Sequence, residues 1–122
     1  MPWTLVNATA VAPPPSLPRA TGNLGSGNTV TLTTPDVSAG DKFELLLSFD
    51  SIEYKTFDIT ANRMEDMKVE MVKIDEDANT VLLTCEAINS RFTGFNQIRF
   101  AFDNDAQFSE TTPNRVATII LI

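Results

Sequence analysis

The side chains able to do chemistry are few, and the most organised set is acidic. Asp75-x-Asp77-x-Asn79, followed by Glu86, matches positions 1, 3, 5 and 12 of the EF-hand calcium loop, where hard oxygen donors surround the cation. Position 6, where glycine makes the sharp turn, is Thr80, and the flanks Met67–Ile74 and Val81–Ile88 read as strands instead of helices. A solvated hairpin tip accounts for the same residues, so calcium at Asp75, Asp77, Asn79 and Glu86 is the lesser expectation and no metal the greater. Asp103-Asn104-Asp105 reads as turn residues leaving a strand. Cys85 is in phase with Val81 and Leu83, which predicts a packed core thiol, and the neighbouring Glu86 has the wrong sign to favour a thiolate.

Other chemistries are excluded by composition. The 122 residues contain no histidine and one cysteine, which removes Ser-His-Asp and Cys-His catalysis, an internal disulfide and Cys-rich zinc sites. Sixteen acids bring some carboxylates together in any fold, so a glycosidase pair has no specific support. The expectation is a non-enzyme without cofactor. A net charge of −7, with scattered Lys and Arg, argues against nucleic acid, whose affinity comes largely from cations displacing counterions. Of ten aromatic residues only Trp3 and Tyr54 are of the amphipathic kind that stacks on sugars. Phe92 and Phe95 fall in the loop Arg91-Phe92-Thr93-Gly94-Phe95-Asn96 and are candidates for contact with a partner protein.

The elements that must position these residues have period two. Thr29–Thr34 alternates; Phe43, Leu45, Leu47 and Phe49 share a face; Ile52–Thr60 is strand-like. Met67, Val69 and Met71 share a face before Val72 and Ile74 change phase, which predicts a bulge or a strand buried on both sides. Thr80–Ile88, the strand of Ile98, Phe100 and Phe102, and Val116–Ile122 complete the set. No window carries a helical stripe, and the best helix candidate is a short turn at Asn62–Met67. About seven or eight strands, spaced by turn signals, predict an all-β chain: an antiparallel β-sandwich, jelly-roll-like or immunoglobulin-like.

Residues 1–28 differ from the rest. They hold five of the seven prolines, three of the five glycines and one charge, Arg19. Pro13-Pro14-Pro15 favours extended polyproline II, and Gly22–Asn28 reads as a hinge. This predicts an extended N-terminal arm at 1–28 and a sandwich domain at 29–122. A solvated tail is normally charged or polar, so the near-absence of charge favours an arm laid on another subunit. Its anchors are Trp3, Leu5, Val6, Val11 and Leu17, and it spans at most ~90–100 Å.

In this organisation, a low-charge arm ahead of a small acidic β-domain, the chain resembles the decoration (cement) proteins of tailed double-stranded DNA phages. The resemblance implies a structural protein of the virion, on the capsid surface and made in the host cytoplasm. It also implies a homo-oligomer, often a trimer, whose arm bridges neighbouring capsomers with the major capsid protein as partner. A rival from another class is a carbohydrate- or receptor-binding β-sandwich of a tail fibre or appendage. A third is a self-assembling subunit of a tube or filament, in which the arm or Val116–Ile122 completes a neighbour's sheet. No stretch reaches the ~18–20 apolar residues that cross a bilayer, and Met1–Leu5 lacks the basic and apolar regions of a secretory signal.

Overall fold

The computed structural model describes residues 16–52, 54–94, 96–102, 107–108 and 113–122. Among the described residues the chain is all β. The strands are β1 (Arg19–Gly25), β2 (Thr29–Thr33), β3 (Lys42–Phe49), β4 (Thr56–Ala61), β5 (Met67–Asp75), β6 (Thr80–Ala87), β7 (Gln97–Phe102), β8 (Gln107–Phe108) and β9 (Pro113–Leu121). They form two mixed sheets, β1-β3-β6-β5 and β2-β7-β9-β4, with β8 pairing on β9. The arrangement is sandwich-like: alternate residues of both sheets meet in one core.

Alternation makes the layers. In β3 the residues Phe43, Leu45, Leu47 and Phe49 are buried while their neighbours are not, and in β6 Val81, Leu83, Cys85 and Ala87 do the same. These two strands pair antiparallel, Phe43 opposite Cys85 and Leu47 opposite Val81, and form the centre of their sheet. Ile98, Phe100, Phe102, Ala117, Ile119 and Leu121 supply the facing layer. Burying a Leu, Ile or Phe side chain is worth about 1.5–3 kcal/mol, so this periodicity fixes which face each strand turns inward.

The fold departs from the sequence-based expectation in several places. Neither sheet is purely antiparallel, because β1 runs parallel to β3 and β4 parallel to β9. The first parallel pair has a simple cause. The chain leaves β1 through Ser26–Asn28 into the other sheet, runs along β2, and returns through 34–41 to start β3 where β1 started. Accordingly Arg19–Gly25, expected to be arm and hinge, is an edge strand. Its inward residues Ala20, Gly22 and Leu24 are mostly small, and a Cβ on Gly22 would come within 2.1 Å of Leu32 Cδ2. Gly22 thus lets two layers approach closely where a hinge was expected.

The phase change in β5 is a bulge: the register with β6 shifts between Val69 and Met71. Met67 and Val69 face inward before it, Val72 and Ile74 after it, and Met71 is turned out to solvent, off the face expected for it. Asn62–Met67 is a turn, and the short helical turn among the described residues is instead a 3-10 turn at Ser90–Phe92. Val116–Ile122 offers no free edge, since β9 is flanked by β7 and β4.

Candidate functional site

The strands put two unlike ends on the molecule. One end collects the starts of β1, β3, β5 and β7 and the ends of β2, β4, β6 and β9. Arg19 pairs with Glu44 there, Lys42 and Lys68 with Glu86, Thr33 with Gln97, and Ile98 with Leu121. The opposite end carries the β1–β2, β3–β4 and β5–β6 connections.

The first end exposes large apolar side chains among charged ones such as Lys42, Arg63 and Glu65. Leu17, Met64, Ile88 and Ile122 are exposed there, Met64 at 69% and Ile88 at 44%; of the exposed large hydrophobics among the described residues only Met71 lies elsewhere. Ile59, Thr60, Ala61, Met64, Met67, Lys68, Val69 and Ile88 line a groove of about 360 Å³ between edge strands β4 and β5. A buried carboxylate builds it. Asp66 accepts a hydrogen bond from Asn89 Nδ2 at 2.5 Å through Oδ1, and Arg63 Nε lies 2.8 Å from Oδ2 as an ion pair without hydrogen-bond alignment. Asn89 Nδ2 also donates to the Glu65 carbonyl, and the Ile88 amide donates to the Asp66 carbonyl. Asn62 Oδ1 accepts from the Leu121 amide, so the turn is fastened to both sheets and holds Met64 beside Ile88.

The second end is polar over an aromatic floor. Phe49, Phe57 and Phe102 pack with ring centroids 5.7–5.8 Å apart, and Tyr54 meets Phe57 at 5.9 Å. The Arg115 guanidinium lies over Tyr54 at 5.2 Å and over Phe102 at 5.0 Å. Phe49, Tyr54, Phe57 and Arg115, with Ser26, Gly27, Asp50, Ser51 and Ile52, enclose a cleft of about 290 Å³. The acidic turn packs alongside, Asn79 Nδ2 donating to the Asp50 carbonyl.

The residues singled out from sequence fare differently. Asp75 Oδ1 accepts the Asp77 and Ala78 amides, and Asn79 has φ of 55°, so the acidic run is a self-satisfied turn. Glu86 stands six residues up β6 from Thr80, ~20 Å away at the strand rise, opposite Lys42 and Lys68. It cannot join a loop site at Asp75. Phe92 is fully buried, its ring 5.4 Å from that of Phe43, and offers nothing to a partner; the apolar core takes what a loop reading left outside. Cys85 is fully buried, and burial, then the charge of Glu70, pushes its thiol up to about 12, so it is a neutral core residue. Leu17 is exposed beside the start of β1. Trp3, Leu5, Val6, Val11 and Phe95 lie outside the described residues.

Sequence reasoning missed Met64, Ile88, Asp50 and Arg115. Ile88 carried a signal, since it directly follows the in-phase Ala87 and must face outward if β6 continues. Met64 sits among Arg63, Glu65 and Asp66, which reads as a solvated turn. No protein-family model, curated protein or solved structure matches this chain.

Proposed function

We propose that this is a structural interaction protein, a capsid decoration protein carried on a β-sandwich that clamps neighbouring subunits through its N-terminal segment. One observation carries the reading: exposed Leu17, Met64, Ile88 and Ile122 gather at the end where that uncharged, proline-rich segment enters β1. Apolar burial of ~300–400 Å² at ~25 cal/mol per Å² would contribute several kcal/mol per copy before ordering costs. Copies joined as a homo-oligomer, with a trimer favoured, then bind a shell with avidity. The partner is the major capsid protein, the location the virion surface, and the chain has no catalytic role. The test is co-sedimentation with undecorated shells of the encoding phage, using the whole chain and a chain lacking residues 2–15, which leaves β1 intact. The whole chain should pellet with the shells and raise their melting temperature, and the shortened one should do neither. Equal binding by both overturns the clamp.

The cleft at the other end favours a second reading, a carbohydrate- or receptor-binding domain. Tyr54, with Arg115 over its ring, and Asp50 line the cleft with an aromatic group and polar groups, in a volume near the small end for ligand sites. Calorimetric titration with glycans separates the two: binding lost in Tyr54→Ala supports this reading.

A further inference from the structure

Among the described residues nothing fills the mostly apolar groove between β4 and β5, and residues 1–15, which precede the entry to β1 at the same end, carry apolar side chains and no charged one. We propose that the groove seats the N-terminal segment of a second copy of this chain, with Trp3 and Leu5 as inserted anchors. The inference rests on the proposed clamp and names the surface that receives it.

Three observations support it. The first is reach. The Pro18 carbonyl accepts the Glu44 amide, which holds the entry to β1 at the apolar end. β1 and β5 are three strand spacings apart, ~14–15 Å, and fifteen residues extend to ~50 Å. The second is chemistry. Met64 and Met67 put two adaptable thioethers in the groove, which suit an aromatic ring, and Lys68 puts a cation on its rim, which suits the face of an indole. The segment has no carboxylate to compete for that lysine. The third is direction. The run Pro13-Pro14-Pro15 favours, by composition, a semi-rigid polyproline II spacer, which would hold the anchors away from their own body. Groove and entry share one end, so copies joined at that end in a closed oligomer place each segment beside a neighbour's groove.

Trp3 is the one tryptophan of the chain, and its emission reports the seat directly in the full-length protein. As concentration rises, the emission should shift to the blue in step with a rise in mass measured by sedimentation. Met64→Lys with Ile88→Lys changes two exposed side chains, so the thermal melt should hold. In this variant the concentration for assembly should rise about tenfold to a hundredfold and the blue shift should be lost at the original concentration. A blue shift undiminished in the variant overturns this seat and leaves the clamp standing, because the segment then docks elsewhere. A blue emission independent of concentration in a monomer overturns both, since the segment then covers its own body. Water-exposed emission at every concentration overturns the seat, and shell co-sedimentation then decides the clamp separately.

Discussion

The two ends of the molecule are built from the same strands and differ in what they leave uncovered. At the Met64 end a carboxylate is drawn inward, Asp66 being buried and holding the turn, while Met64 and Ile88 face out among exposed Arg63, Glu65 and Lys68. At the Tyr54 end the aromatic rings of Phe49, Phe57 and Phe102 are packed beneath half-buried Arg115, and Asp50 and Ser51 face out. Water sets a low penalty on the second arrangement and a higher one on the first. The apolar end is therefore the one that gains by being covered, and the polar end the one suited to a small hydrated ligand.

That contrast can be broken in order of effect. Phe92→Ala under the apolar end and Phe57→Ala under the polar end should each cost about 3–5 kcal/mol in denaturant unfolding. Their effects should add to within about 0.5 kcal/mol, because their ring partners differ, Phe43 for Phe92 and Phe49, Tyr54 and Phe102 for Phe57. Marked non-additivity would mean that the ends are one energetic unit. Next, Asp66→Ala should cost about 1–3 kcal/mol, leaving Asn89 Nδ2 without its side-chain acceptor, and should loosen the seat of Met64. A loss near zero would show that Asp66 does not hold the groove. The lost ring contacts alone should make Arg115→Ala cost at least about 0.5–1 kcal/mol, while Met64→Ser should move stability by less than about 0.5 kcal/mol.

Cys85 gives a pH test that belongs to neither end. Its folded thiol is raised from 9.0 to about 12, so the folded chain keeps a proton that the unfolded chain gives up. Its contribution is fully present below pH 9.0 and falls by ~1.4 kcal/mol per pH unit until about 12. Cys85→Ala should lower stability at neutral pH but flatten this alkaline decline, as read by chemical denaturation across that range.

Much of the core was legible because burial enforces period two. Phe43, Leu45, Leu47 and Phe49 declared their face, as did the residues of β6, and the phase change at Val72 announced the bulge. The departures arose where small or polar residues serve packing. Gly22 and Asn23 look like a hinge, yet the missing Cβ at Gly22 is what admits Leu32. Phe92 looked like a loop anchor because its partner Phe43 lies far away in sequence. Strand direction was not legible, since alternation is the same for parallel and antiparallel neighbours. The sites were less legible than the fold: Arg115 and Tyr54 meet only after β9 has been laid near the β3–β4 connection.

The irregularity at Glu70 carries one more consequence. A flat outer strand invites another polypeptide to extend the sheet amide by amide, whereas a kinked one flanked by Lys68 and Lys73 refuses that invitation. Whatever meets this flank must be recognised by the shape of its side groups, which admits a chosen guest and discourages runaway fibre growth.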